Sequence, residues 1–269
     1  MGLLIIRLIT FLNSQSPDST YYHVAVTMLE NYSRIHLISI EEIAKLCHVS
    51  KSTISKFTRQ LGFDDYLDLK DNAAFVENRF NNPLNYVSNI LTSIESDGVN
   101  DYLNAVCKDI NYLGEHMDFS AIDHVAKAIS DYDHVAAFGL MFSESAAIDL
   151  QCKLAYNGKF IRSFQDDVLQ EAFLKKAKSD TLILILTNSG EYLTKQQIKL
   201  GTPRKNVFLS TQAKIAVISS NPEVKKLPFV SESIIFPHQT KYQTHAILYQ
   251  IINDLIVHRY RYFHGISTR

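Results

Sequence analysis

The sequence predicts an all-helical N-terminal domain followed by an α/β domain built on a doubly wound parallel sheet. Three observations carry this reading. Residues 39–69 hold two short amphipathic helices on either side of an interruption at Cys47-His48-Val49. From Phe119 onward, helical patterns alternate with continuous apolar runs, of which TLILILT at 181–187 is the strongest. Such runs, separated by helices, argue for parallel strands covered on both faces. Between the two textures, residues 76–110 keep a helical periodicity with no Gly/Ser-rich tract, which places a semi-rigid helical linker there. The expected boundaries are 1–75, 76–110 and 111–269.

The opening run MGLLIIRLITFLN is apolar, but Arg7 lies inside it and no small-residue cleavage site follows, unlike a signal peptide. It is also short for a membrane span. A first helix packed on the next module, or on a second copy of it, is expected. Asn13 to Ser19 is a polar turn, and Thr20 to Tyr32 reads as one helix with Val24, Met28 and Leu29 on one side. Ser39 with Glu42 three residues on has the spacing of a capping box. Ile40, Ile43, Ala44 and Leu46 then give a short helix its apolar face. Ser50 is a good N-cap for a second helix, which runs to about Leu61 before Gly62 can end it.

Two helices so joined follow the helix-turn-helix plan, in which the second enters the major groove. Ile54, Phe57 and Leu61 would pack inward, while Ser52, Ser55, Lys56 and Arg59 share another stripe. Ser50, Lys51 and Thr53 lie beside it at the helix start. From Lys45 to Phe63 the charged residues are Lys45, Lys51, Lys56 and Arg59, with no acid among them. Hydroxyls and cations suit phosphate oxygens, and Lys or Arg can donate to guanine O6 and N7. Ser50, Lys51, Ser52, Thr53, Ser55, Lys56 and Arg59 are therefore the candidate DNA contacts. An ordinary helical hairpin with a solvated face shares the apolar pattern, but the missing acids and the capped start favour DNA.

Glu42-Ile43-Ala44, Val49-Ser50, Lys56-Phe57, Leu61-Gly62-Phe63 and Tyr66-Leu67 together resemble the N-terminal module of the RpiR/MurR family of bacterial transcription regulators. Lys56 stands where that family usually has arginine; it keeps a phosphate contact and loses the bidentate fork. The resemblance implies a double-stranded DNA operator as partner. It also implies a sugar-phosphate-binding SIS (sugar isomerase) domain further along.

Tyr66 to Phe80 reads as helix and Asn81-Asn82-Pro83 as its break, with further helices at Leu84 to Ile94 and Tyr102 to Leu113. In the α/β part, helices are expected at Phe119 to Ser130, Ser143 to Tyr156 and Val168 to Ala177. Strands are expected at 134–139, Lys159 to Ser163, 181–187, Ile215 to Ser219 and Ser233 to Phe236. The last helix, Tyr242 to Tyr262, is rich in Ile and Leu and is expected to form a subunit interface.

Ligands of open parallel sheets bind beyond the carboxyl ends of the strands, near helix N-termini. Two strand ends carry suitable residues: Gly139-Leu140-Met141-Phe142-Ser143 and Thr187-Asn188-Ser189-Gly190-Glu191-Tyr192. In either turn alone the serines could merely cap a helix; two such turns on neighbouring strands argue for an anion site. The candidates are Ser143, Glu144, Thr187, Asn188, Ser189, Gly190 and Tyr192. The pair resembles the G-x-G-x-S and S-x-S-G-x-T turns of SIS domains, which cradle a sugar phosphate. Met141 replaces the second glycine and would restrict the approach to the first turn. Tyr192 replaces the final hydroxyl residue, and its ring would cover the opening, stack on a sugar face or turn to solvent. Gly201-Thr202-Pro203 interrupts the helix expected after the second turn.

With 46% hydrophobic and 11% aromatic residues, the chain can bury a sizeable core and is not disordered. A net charge of −1 confines any DNA contact to a local patch. Cys47, Cys107 and Cys152 form neither a disulfide framework nor a metal pair, which suits a reduced cytosol. No metal or cofactor is implied. An isomerase on this scaffold would need an acid/base pair, for which Glu144, Glu171, Glu191 and His245 are placed; a lone carboxylate at a helix start more often serves the helix dipole. The expectation is a cytoplasmic, phosphosugar-responsive DNA-binding regulator without catalytic residues or a membrane segment, acting as a homodimer or homotetramer. A sugar-phosphate isomerase is the rival.

Overall fold

The computed structural model describes residues 3–73, 86–195 and 205–266. They fall into two compact units, one holding the helices up to residue 73 and the other the elements from Tyr86 onward.

The first unit comprises α1 (Leu3–Ser14), α2 (Thr20–Glu30), α3 (Tyr32–Ile35), α4 (Ile40–Leu46), α5 (Lys51–Gln60) and α6 (Tyr66–Ala73). The helix expected over Thr20 to Tyr32 ends at Asn31, where φ −107° and ψ 19° leave the helical region. Asn31 Nδ2 donates to the Thr27 carbonyl at 2.9 Å, the kind of local bond by which asparagine competes with helix continuation. Leu4 and Leu8 of α1 are fully buried in one core with Val24, Ile43, Ile54 and Phe57, so α1 packs on its own module. Phe57 meets Phe11 edge-on at 5.2 Å and Tyr21 at 5.6 Å. The later part of the helix read over Tyr66 to Phe80, and the breaks at 81–83 and 201–203, lie outside the described residues.

The second unit opens with α7 (Tyr86–Asp97), α8 (Val99–His116) and α9 (Phe119–Asp131). Then follow β1 (His134–Phe138), α10 (Phe142–Ala155), α11 (Asp167–Lys176), β2 (Thr181–Leu186), α12 (Glu191–Thr194) and α13 (Val207–Ser210). β3 (Lys214–Ser219), a 3₁₀ turn (Pro222–Lys226), β4 (Val230–Ile235) and α14 (His245–Phe263) complete it. The strands form one four-stranded parallel sheet in the order β1-β2-β3-β4.

The strand expected over Lys159 to Ser163 is reduced to a single parallel bridge between Arg162 and Ala136. Ala137 N donates to Arg162 O at 2.8 Å and Arg162 N to Val135 O at 3.0 Å. The left-handed Gly158 and the α11 N-cap Asp166 bound the segment on its two sides. With this bridge on the far side of β1, the chain order across the sheet is 2-1-3-4-5. That is a doubly wound order, whose switch point lies between β1 and β2.

Side-chain alternation along the strands builds two layers. Ala137, Leu184 and Ile218 face α9, α10 and α14. Phe138, Ile185 and Val217 face α11, α12 and α13. The helix expected as a subunit interface begins at His245, and its Leu248, Tyr249, Ile252, Ile256 and Tyr260 are buried in the first of these layers. Much of its apolar content is thus used within its own chain.

Candidate functional site

In the first unit the capping box forms as its spacing requires: Ser39 N donates to Glu42 Oε2 at 2.7 Å and Glu42 N to Ser39 Oγ at 3.2 Å. The turn after α4 passes through His48 at φ 53°. Ser50 N-caps α5, accepting from Thr53 N at 3.1 Å, and its hydroxyl bonds to those of Ser52 (2.8 Å) and Thr53 (2.9 Å). Ile54, Phe57 and Leu61 are buried while Ser52, Lys56 and Arg59 are exposed; Thr53 and Ser55 are half-buried.

Two features of this helix were not legible in the linear pattern. Lys51 is ion-paired with Glu41 of α4, so an acid does reach the stretch that carries none of its own. At the other end, the buried Arg7 guanidinium donates to the Leu61 carbonyl and lies 5.0 Å over the Phe63 ring. Gly62 has φ 80°, and a Cβ there would collide with the Arg7 guanidinium. A cation on the last carbonyls of a helix satisfies them and complements its dipole. The available signal was the lone cation inside an apolar helix.

In the second unit, β1 and β2 both end at the same edge of the sheet. After β1, a Cβ on Gly139 would lie 2.6 Å from Ser143 backbone, so only glycine lets α10 start this close. Ser143 N donates to Leu140 O at 3.2 Å, and Met141 has φ 58° and ψ −117°. These are the angles of the first central residue of a type II′ turn, a position that glycine normally fills. The Ser143 hydroxyl is buried and lies 3.5 Å from Tyr249 Oη. Next along α10, burial pushes the Glu144 carboxyl up to about 7, against a hydrogen bond with Gln165.

After β2, Thr187 is buried and its amide donates to Ile218 O at 3.0 Å. Ser219 and Ser220 hydroxyls donate to Asn188 O at 3.0 and 3.1 Å, and Asn221 Nδ2 donates to Ser189 O at 2.7 Å. Ser189 Oγ accepts from Glu191 N at 3.3 Å, which leaves its own proton to donate. Gly190 has φ 81°, and a Cβ there would strike Val224 at 2.8 Å. The sequence reading passed over Ser219, Ser220 and Asn221 as site residues; their signal was a polar SSN that closes a strand.

Tyr192 requires a correction. It neither covers the turn, nor offers a face to a sugar, nor reaches solvent: it is buried in the layer beneath. Its hydroxyl donates to Gln170 Oε1, its ring meets Phe208 edge-on at 5.9 Å, and the Lys205 ammonium lies 3.7 Å over it. The ring's apolar area goes to the core and its hydroxyl finds a buried acceptor, the usual resolution for a buried tyrosine. Burial also pushes Lys205 down to about 8, against the attraction of Glu171 and Asp167.

Of the other acid/base candidates, Glu171 pairs with Lys175 at 3.2 Å. His245 is buried with its ring 6.3 Å from Phe142 and 6.0 Å from Tyr249, and burial followed by the His238 charge pushes it down to about 4. Among the described residues, no group of three His, Cys, Asp or Glu is placed to hold a metal. No helix among them is long and apolar enough to cross a membrane.

A helix-turn-helix module and a doubly wound α/β domain with two glycine-bearing turns at its switch point define a two-part class of protein. Residues 13–74 match the helix-turn-helix domain of the rpiR family. The likeness to that family thus covers the helix-turn-helix module and not the α/β unit. An uncharacterised HTH-type transcriptional regulator in the aarA 3′ region of Providencia stuartii is 24% identical over 176 residues, 64% of this chain and 61% of that protein. The chain thus matches less than two thirds of that relative's length. Among solved structures, the Vibrio vulnificus NanR protein complexed with ManNAc-6P has a TM-score of 0.50 at 14% identity, over 96% of this chain and 92% of that one. The c3406 protein of E. coli CFT073 has a TM-score of 0.51 at 10% identity, over 63% of this chain and 90% of that one. At such identities these two likenesses show the fold: the second unit is a mixed α/β domain like theirs.

Proposed function

We propose that this protein is a DNA-binding transcription regulator whose α/β domain senses a sugar phosphate. The observation that carries the reading is the rpiR-type module at 13–74 with Ser52, Lys56 and Arg59 exposed along α5. In this reading Ser50 and Thr53 shape the helix start, Ser52, Ser55, Lys56 and Arg59 face the groove, and Lys51 reaches phosphate when released by Glu41. The reading head lies within 1–75 and the sensor takes in the unit from Tyr86 onward, because α7 and α8, expected within a linker over 76–110 ahead of a sensor at 111–269, pack in that unit. The protein acts in the cytoplasm as a dimer or tetramer, since a two-fold operator presents half-sites about 34–36 Å apart. Lys56→Ala or Arg59→Ala should weaken operator binding by about 1–3 kcal/mol where the residue reads a base. Unchanged affinity in both variants would sink the assignment.

The sensor site comprises Ser143 and Glu144 of the first turn and Thr187, Asn188, Ser189 and Gly190 of the second, with the ligand's phosphate on the turn amides and the Ser189 hydroxyl. Support comes from their shared sheet edge at the switch point, and from the sugar-phosphate complex of the NanR protein with the same fold. Thermal-shift titration with hexose phosphates, with and without operator DNA, tests this. Ser189→Ala should weaken ligand binding and leave ligand-free DNA binding intact.

One observation favours an isomerase instead: a carboxyl near pKa 7 beside the first turn is poised for proton transfer. The buried His245, neutral at pH 7, offers no charged partner to it. Turnover of ketose and aldose phosphates by the purified protein separates the two readings.

A further inference from the structure

We infer that Gln170 is the positioning residue that holds the two turns at one spacing, with the Tyr192 hydroxyl as the other half of the brace. The inference deepens the sensor reading and rests on it for the identity of the site. Gln170 is completely buried in α11, in the layer beneath the sheet edge. Its amide nitrogen donates to Gly139 O at 2.9 Å and to Phe164 O at 2.6 Å, while its amide oxygen accepts from Tyr192 Oη. Gly139 is the residue on which the first turn pivots, and Tyr192 follows Gly190 of the second turn by two positions. A single side chain is therefore bonded to both turns from below.

The rest of the geometry makes that link consequential. The first turn is pressed from above by α10, whose Ser143 leaves no room for a Cβ on Gly139. On the side away from β1, the second turn is fastened to the β3 exit by Ser219, Ser220 and Asn221. Gln170 and Tyr192 close the remaining side. The position needs a donor toward a carbonyl and an acceptor toward a hydroxyl with no net charge, and glutamine supplies this set. Glutamate would bring a buried charge to the Gly139 carbonyl, and leucine would take the partner from the Gly139 and Phe164 carbonyls and from the Tyr192 hydroxyl. The large residue at 192 thus exchanges a direct ligand contact for control of turn spacing. The Lys205 ammonium over its ring, with the Lys205 amide bonded to Thr194 O at 2.8 Å, fixes the plane of that ring.

Tyr192→Phe removes the hydroxyl and keeps the packed ring, so it tests the brace in a folded protein. Amide resonances of the full chain without ligand should shift at Gly139, Leu140 and Ser143 as well as at 188–190. Changes confined to 188–194 would overturn the inference. By calorimetry with glucosamine 6-phosphate as probe, Tyr192→Phe should weaken binding about tenfold. Adding Gln170→Leu should weaken it little further, because the two residues act as one unit. Undiminished probe binding in both variants would also overturn it. If the wild type binds no hexose phosphate, the sensor reading fails on ligand class, and the resonance shifts alone decide the brace.

Discussion

Met141 shows how much one residue can depart from what its backbone wants. Its type II′ angles cost a side-chain-bearing residue about 1–3 kcal/mol, and such strain gathers at functional sites. Met141→Gly should relieve that strain against a glycine entropy cost of about 0.5–1 kcal/mol. The net expectation is a gain of about 0–2.5 kcal/mol in chemical denaturation, and a first turn more open to ligand. A loss of stability would show that the methionine side chain contributes more by packing than its backbone costs. Glu144 and His245 give opposite pH dependences in the same domain. Glu144 titrates near 7 when folded, above its unfolded value, so the folded state binds more protons and this group's contribution falls as pH rises from about 4.5 to 7. His245 titrates near 4 when folded, below its unfolded value, so its contribution is lost as pH falls from about 6.5 to 4. Glu144→Gln should therefore steepen the loss of stability on acidification, and His245→Gln should flatten it. Denaturant midpoints measured at pH 7, 6 and 5 would check both; identical curves for Glu144→Gln and wild type would remove the buried-carboxyl argument.

At the scale of the element, α5 is a short helix whose two ends are secured by other parts of the chain. Arg7 secures the C-terminal end through the Leu61 carbonyl, in a space that only Gly62 leaves open. Removing a buried, charge-assisted bond of this kind costs about 1.5–3 kcal/mol, with the guanidinium's lost packing in addition. Arg7→Ala should lower the melting temperature of the reading head and weaken DNA binding through α5 mobility. A variant that melts like wild type would show that α5 needs no such cap. At the N-terminal end, Glu41 holds Lys51 in an ion pair, which on the proposed reading a DNA phosphate would have to displace. Glu41→Gln should tighten operator binding and steepen the dependence of log K on log salt by about 0.9, the increment for one more neutralised phosphate. An unchanged slope would mean that Lys51 takes no part. The helix itself was legible, because a 3.6-residue apolar stripe and a serine cap are local facts. Its two external partners were not, since Glu41 and Arg7 lie 10 and 54 residues away from Lys51 and Leu61, and neither carries a local signal of its target.

Over the whole chain the same division recurs. Continuous apolar runs disclosed the strands, and the glycine-bearing strand ends disclosed both turns, because both follow from near-neighbour stereochemistry. The reading failed where a choice depends on distant packing: Lys159 to Ser163 keeps one bridge of a strand, and Tyr192 goes inward because Gln170 waits there. Asp109 belongs to this second kind. It sits in α8 with no sequence signal beyond its helical spacing, yet its carboxylate is fully buried. It accepts from Gln239 N at 3.0 Å, Thr240 N at 2.8 Å, Thr240 Oγ1 at 2.5 Å and Thr244 Oγ1 at 2.7 Å. These bonds tie the segment between β4 and α14 to α8, and Asp97 at the end of α7 adds bonds to Lys241 and Tyr242. Burial alone would raise the Asp109 pKa; the bonds from Thr240, Thr244 and Gln239 outweigh it and hold the value below the usual 3.8. A folded pKa below the unfolded one stabilises the domain at neutral pH, and that contribution is lost as pH falls below about 4. Asp109→Asn would turn an amide donor toward groups that are themselves donors, at a cost of about 1–3 kcal/mol. Denaturant unfolding at pH 7 should show that deficit. At pH 3 the gap to wild type should narrow, because protonated Asp109 also loses part of its acceptor set. A gap of equal size at both pH values would mean that Asp109 is held by its shape and not by its charge.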